Sequence, residues 1–430
     1  MASTPPRVAV VGGGIAGSLC ALVLKNRGII PTVIDAGKSG LGGRLGGGDR
    51  TIETFQSSHR RPARGDAGVP FVRASDPRLA GIFSMLEAKG LLAKWNARFG
   101  ILGSAGGGFL PSGIIAGTSV RSMNKDSGED SSPNNANKTT DAGDFCGFID
   151  GSKAPTYVGI PTMADLCPGI CRAADIEVIL GSSVRKVHLA PGGGWTLSLD
   201  GKDGMMADSY DGLVLATHNP LLASDTIQTI AEGELQASKD DHDSSSLIAD
   251  RLLQLSKDLQ LIREARQPIV SWSALYPSDV SKDRIPFDAV AIPGSHVMQF
   301  LSRNASKPNR PGQLDGCELW TAISTSQFAA HYADADLDQV AEIMSSEVKQ
   351  LWAPYFDNSH VPDPIYAVAK RWNAAFTPQT LNLKEDSIAL APWRLALCGD
   401  YISNSYSTPF EAAALSGLDA GERAAASFFQ

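Results

Sequence analysis

Apolar runs broken by glycine-rich turns are densest at the start of the chain. Arg7-Val8-Ala9-Val10-Val11 is a run typical of a strand buried on both faces, and Gly12, Gly13 and Gly14 follow it directly. Ile15, Leu19, Leu22 and Val23 then recur at helical spacing until Gly28, which stops the helix. Pro31-Thr32-Val33-Ile34 predicts a second strand ending on Asp35. The pattern returns later: 211–217 and 395–398 predict buried strands that close on small residues, the second running into Gly399-Asp400.

Between these, periodicity predicts helices over 76–95, from 163 through Cys171, over 240–266 and over 336–352. Short strands separated by Gly/Pro turns are expected at 177–180, 183–189 and 195–199. Runs at 268–276, 289–292, 297–301 and 319–323 predict an antiparallel sheet that would floor a pocket. The fold class is therefore α/β. A Rossmann-like domain from 1–75, 165–220 and 385–430 is interwoven with a second domain from 76–164 and 221–384, built on a mostly antiparallel sheet with helices. Residues 121–144 are polar and nearly free of large apolar side chains, and predict a mobile surface insertion.

The length of 430 residues with 43% hydrophobic content supports two such domains. A net charge of −8 argues against nucleic acid or an anionic membrane as a partner. No apolar run approaches the ~20 residues of a membrane span. Met1 to Pro6 is too short for a signal peptide, so the expected location is cytoplasmic, or an organelle such as a plastid had a leader been trimmed. The six cysteines form no C-x-x-C pair, and no histidine follows Cys167 and Cys171 at ligand spacing, so no metal site is expected. No nucleophile–base set stands out among the seven histidines, which speaks against hydrolysis.

The chemistry lies in the first turn. Gly12, Gly14 and Gly17 fit G-x-G-x-x-G between a strand and a helix, where missing Cβ atoms let the backbone approach a pyrophosphate. Gly12, Gly14, Ile15, Ala16 and Gly17 form the expected cradle. Asp35, with Ala36, is placed to meet a ribose, and its carboxylate would repel a 2′-phosphate. FAD is favoured over NAD because Gly43-Arg44 ends a second glycine-rich loop and the strand before Gly399-Asp400 lies near the C-terminus. A flavin spans the switch point of the sheet and is touched from both ends of a chain.

These segments resemble the FAD-dependent amine oxidase superfamily, most closely its renalase-like branch. Gly42-Gly43-Arg44 matches that family's G-G-R. Asp66 to Phe71 sits where it has an Asp-x-Gly stretch. Ser306-Lys307-Pro308-Asn309-Arg310 is similar to its Ser-Lys-Pro-Gly-Arg, and Lys370-Arg371-Trp372 to its His-Arg-Trp. Glu411 to Gly417 resembles its closing Glu-Gly-Ala-x-x-Ser-Gly. The resemblance implies non-covalent FAD held also by Gly43, Arg44, Gly68, Val69, Pro70, Val184, Gly399, Asp400, Phe410, Glu411 and Ala412, with Asp400 on the ribityl chain. The helix starting near Pro409 would favour negative charge on the reduced ring. Phe71, Trp372 and Tyr401 are expected to line a substrate pocket; no catalytic side chain beyond the flavin is identified.

The implied activity is hydride transfer to flavin N5 from a small-molecule substrate. That substrate would be a nicotinamide-type reductant, such as a dihydronicotinamide isomer, with O2 reoxidising the flavin to give H2O2. Lys370 and Pro70 depart from the family's pattern and bear on the substrate. Oxidation of an amine is the alternative within enzymes, and a non-catalytic flavin-binding scaffold the alternative of another class.

Overall fold

The structure, a computed structural model, describes residues 4–46, 52–53, 62–63, 65–103, 108–112, 155–190, 192–200, 209–237, 244–277, 284–310, 317–356, 360–406 and 408–429. The expected insertion at 121–144 lies outside them. The first sheet has the strand order Glu177–Ile179, Ile30–Ile34, Arg7–Val11, Gly212–Leu215, Leu395–Leu397, Ile388–Leu390. Its pairings are parallel apart from the antiparallel edge strand Ile388–Leu390. After Arg7–Val11 the chain moves outward on one side through Ile30–Ile34, then returns to place Gly212–Leu215 on the other. Strand order thus reverses between Arg7–Val11 and Gly212–Leu215, and the crevice beyond their carboxyl ends is where such sheets bind ligands.

Both faces of this sheet are covered, as continuous apolar strands require. The helices Ile15–Asn26, Leu166–Ala173 and Pro409–Ala426 share one core with Val8, Val10 and Val33. On the opposite face, Ile227, Ile230, Leu252 and Leu259 pack against Val11, Ile34 and Leu213. Those residues belong to the helices Leu221–Ala237 and Ser244–Glu264. Residues 221–264, read from sequence as part of the second domain, therefore pack on the first sheet. An amphipathic stripe reports that a face is buried, not which sheet buries it.

The second sheet has seven strands in the order Tyr366–Phe376, Gln267–Pro277, Cys317–Ser324, Met298–Arg303, Ala289–Ala291, Phe99–Leu102, Phe109–Pro111. All pairings are antiparallel except Ala289–Ala291 with Phe99–Leu102. One face packs on the helix Leu337–Trp352 through Trp272, Trp320 and Trp352. From the other, Ile269, Ala289, Phe300 and Ile323 join the core of the first sheet's helices. The helix expected over 76–95 is shorter. A 3-10 turn at Pro77–Leu79 leads into Ala80–Ala88, Gly90 adopts φ +67°, and Leu92–Lys94 is a strand. A glycine in that left-handed conformation ends the helix.

Candidate functional site

The first turn has little freedom for any residue but glycine. Gly12 adopts φ +108°, and a Cβ there would lie 2.6 Å from the Ala216 carbonyl oxygen across the switch point. A Cβ on Gly17 would lie 1.9 Å from the Gly12 carbonyl oxygen, so the helix rests directly on the turn. Gly14 faces open space, with nothing within 4 Å of its built Cβ, and it caps the helix Ile15–Asn26 without a side-chain acceptor. The helix also has no acid in its first turn. An uncapped helix start facing open space is the arrangement a diphosphate fits.

Asp35 sits at the end of Ile30–Ile34 beside this turn. One carboxylate oxygen accepts from the Gly13 amide at 2.6 Å and the other from the Gly37 amide at 2.7 Å. It therefore ties the loop to the turn, and a ribose would share oxygens that already hold backbone donors. The Gly181 and Ser182 amides donate to the Gly37 and Asp35 carbonyls. This docks the start of the Val184–Leu189 strand beside the Asp35 loop, with Val184 partly buried.

The second glycine-rich loop docks on the first, the Gly42 amide donating to the Gly13 carbonyl at 2.8 Å. Gly68 then lies against it. A Cβ on Gly68 would be 2.2 Å from the Arg44 carbonyl oxygen, to which the Val69 amide donates at 2.9 Å. Arg44 reaches across to Asp400 through two parallel bonds of 2.8 and 2.7 Å, and donates to the Ala375 carbonyl at 3.0 Å. Burial raises the Asp400 pKa, but the charges facing it, Arg44 first and Arg266 as well, together hold the carboxyl below its usual range. Gly43, Arg44, Gly68, Val69, Gly399 and Asp400 thus converge, although they come from three distant parts of the sequence.

The closing segment explains itself physically. Ser416 accepts from the Gly399 amide at 2.9 Å, and a Cβ on Gly417 would lie 2.2 Å from the Ala16 carbonyl oxygen. The serine therefore fixes the turn before Asp400, and the glycine lets the last helix touch the first. Thr408 caps that helix by accepting from the Glu411 amide. Glu411 itself is buried and accepts from the Ser75 and Asp76 amides at 2.7 and 2.5 Å. Its carboxylate sits in the helix's first turn, so the positive end expected to face a reduced ring already carries an anion. The Glu411 side chain serves the fold.

The expected pocket residues divide. Phe71 packs at 5.6 Å from the Phe300 ring and 6.1 Å from that of Trp95. Trp372 donates from Nε1 to Ser271 Oγ, which donates to the Ala67 carbonyl at 2.7 Å, and Lys370 Nζ lies 4.1 Å from its ring centre. Phe71 and Trp372 both border the core between the two sheets. Tyr401 does not join them. It is fully buried with Val11, Leu215 and Leu397 on the far side of the first sheet, where its ring is core. Arg371, one residue before Trp372, points the opposite way, as strand alternation demands, and donates to the Tyr332 and Ala335 carbonyls.

Two clusters were missed by sequence reasoning. Asp66 accepts from Lys307 at 2.6 Å, from Arg310 at 2.8 Å and from the Met163 amide at 2.9 Å, with all three charged side chains sealed from solvent. Lys307 also donates to the Pro70 carbonyl and Arg310 to that of Pro161. Burial opposes the Asp66 charge, but Arg310 and Lys307 together hold its pKa low; one carboxylate cannot serve two cations equally, and burial takes Lys307 down to about 8. Asp66 and Lys307 lie 241 residues apart, and nothing in either segment's sequence announces that they pair. The second cluster is His218 with Arg266. His218 donates from Nε2 to the Ala374 carbonyl and accepts at Nδ1 from Arg266 at 2.8 Å. Burial, with the nearby charges of Arg44 and Arg266, pushes its pKa down to about 3, so the ring is neutral. Among the described residues no group of His, Cys, Asp and Glu could hold a metal ion, and no helix is long and apolar enough to cross a membrane.

No protein-family model matches the chain, and no curated protein matches it. Its fold is that of solved oxidases. A cyclohexylamine oxidase from Brevibacterium oxydans IH-35A aligns over 99% of this chain and 100% of its own with a TM-score of 0.58 at 14% identity. An oxidoreductase from Methanosarcina mazei aligns over 97% and 100% with a TM-score of 0.58 at 12% identity. A putrescine oxidase double mutant, made in a redesign of its cofactor binding, aligns over 99% of both chains with a TM-score of 0.55 at 14% identity.

Proposed function

We propose that this chain is an FAD-dependent oxidoreductase that takes a small reduced substrate of the renalase-like kind, such as a dihydronicotinamide isomer. The observation that carries the cofactor is the uncapped helix start at Gly14, open to the crevice at the switch point of the first sheet. FAD held there would supply the redox chemistry, two-electron oxidation of the substrate at flavin N5 with O2 as the final acceptor, giving H2O2. The chain's part is placement. The uncapped start of the helix Ile15–Asn26 would offer its first amides to the diphosphate, with the Gly12 and Gly13 amides held by Ile34 and Asp35, and Asp35 would offer oxygens to the adenosine ribose. The Arg44–Asp400 pair, fixed by Ser416 through Gly399, borders the ribityl chain. Phe71 and Trp372 each border the core where the two sheets meet and offer rings suited to stacking a planar heterocycle and excluding water.

Amine oxidation is a second reading, favoured because two of the solved proteins sharing the fold are a putrescine oxidase and a cyclohexylamine oxidase. Anaerobic stopped-flow mixing of the flavin-loaded protein with dihydronicotinamide isomers and with primary and secondary amines decides between them. Bleaching by the first class supports the proposal, and bleaching by amines alone replaces it with the second reading. A flavin inert to every reductant, in a protein that holds a stable partner, points to the scaffold.

A further inference from the structure

We infer that Arg266, oriented by His218, is an additional cofactor-anchoring residue in this chain, whose guanidinium takes the diphosphate of the dinucleotide. This rests on the FAD reading above. Arg266 is the last residue before the strand Gln267–Pro277, so it belongs to the second sheet, yet its side chain reaches the first. It does so through His218, two residues beyond the Ala216 carbonyl against which Gly12 packs. The imidazole is fixed at both nitrogens: Nε2–H goes to the Ala374 carbonyl, and Nδ1 is left to accept from Arg266. The histidine thus orients the guanidinium and contributes no charge.

The charges at this mouth do not balance. Arg44 is matched by Asp400 through two short bonds. Among the described residues the hydrogen-bond partner of Arg266 is a neutral ring; the one carboxylate that bears on it, Asp400, is already engaged by Arg44, and the Arg266 Nε is sealed from solvent with no acceptor. A guanidinium held this way carries a desolvation cost that an anion would offset. The Asp66 cluster also holds one cation more than it has carboxylates. There one nitrogen, Arg310 Nε, is orphaned too, but the side chains are fully sealed from solvent and other donors go to the Pro70 and Pro161 carbonyls, which leaves no opening for a ligand. Arg266, His218 and Arg44 are only partly buried, so their cluster keeps a surface that a ligand can reach. A planar fork suits phosphate oxygens, and the helix start behind Gly14 supplies neutral amides and no charged side chain in its first turn.

The test titrates flavin-stripped protein with FAD and with riboflavin, which lacks the diphosphate, from 50 to 500 mM NaCl. Arg266→Gln is expected to raise the Kd for FAD by about 10- to 100-fold and to flatten its salt dependence, with riboflavin affinity unchanged. His218→Gln, which leaves the charge but frees the guanidinium, should cost FAD about 3- to 10-fold and riboflavin nothing, and it carries the test if Arg266→Gln does not fold. Equal losses for FAD and riboflavin would make the pair a prop for the strand ends, and an unchanged FAD affinity and salt dependence would remove it from the site. Either result overturns the inference. Failure of the unaltered protein to bind FAD at all removes the cofactor reading itself and this inference with it.

Discussion

A carboxylate that already holds two backbone amides does more than meet a ligand. Removing Asp35 strips the Gly13 and Gly37 amides of their acceptor and, in the function proposed above, the ribose of its partner. With a hydrogen bond to a charged group worth about 1.5–3 kcal/mol, Asp35→Ala should weaken FAD by one to two orders of magnitude. Unchanged affinity in a fluorescence titration would confine the residue to loop structure. His218 makes a pH prediction. Its pKa is about 3 in the folded protein, lowered by burial first and then by Arg44 and Arg266, against roughly 6.5 unfolded. The unfolded chain therefore binds a proton between these values that the folded protein refuses, and stability falls as pH drops from about 6.5 toward 3. From pH 7.5 to 5.5 the protein should lose about 1 kcal/mol more than His218→Gln does, read by urea denaturation, and parallel losses would show the ring protonates freely. At this scale the sequence reveals the glycine turn and Asp35 because strand, turn, helix and acid are neighbours along the chain. It hides Asp66 with Lys307, and His218 with Arg266, because those pairs form only when remote segments fold together.

Elements are legible where periodicity alone decides them. The strands around Gly12 and Asp400, and the helix Leu337–Trp352 capped by Asp336, fall close to where their apolar spacing places them. Their partners are less legible, and glycines show why. Gly417 admits the last helix against Ala16, but in sequence it is one more small residue in a run of them. Gly417→Val places a side chain against backbone that cannot rotate away. The last helix would be displaced, lowering thermal stability and FAD retention together. Gly233 is the contrasting case, exposed within the helix Leu221–Ala237 with nothing near its built Cβ. Gly233→Ala should stabilise the protein by about 0.5–1 kcal/mol, because it removes only the helix cost of glycine. If both variants unfold at the same temperature as the unaltered protein, the close helix contact at Ala16 does not constrain the fold.

At the scale of the whole molecule, Phe71 and Trp372 both border the core shared by the two sheets, between which the chain crosses repeatedly. Trp372 enters from the second sheet and is held through Ser271 to the Ala67 carbonyl, one residue from the buried Asp66 carboxylate. The hydrogen bonds that fix its indole thus come from the second sheet and the Asp66 segment, and the glycine turn after Arg7–Val11 contributes none of them. Substrate handling and cofactor binding should separate on mutation. Trp372→Ala is expected to leave flavin content and FAD affinity within about two-fold while slowing anaerobic flavin reduction by at least about ten-fold, since an oriented reactant loses its stacking surface. Trp372→Phe keeps a ring but gives up the Nε1 bond to Ser271, and should fall between the two. Flavin loss in both variants would mean that the ring supports the cofactor directly. Reduction at full speed in both would mean that the substrate meets the flavin elsewhere, and the seam between the sheets would then be structural only.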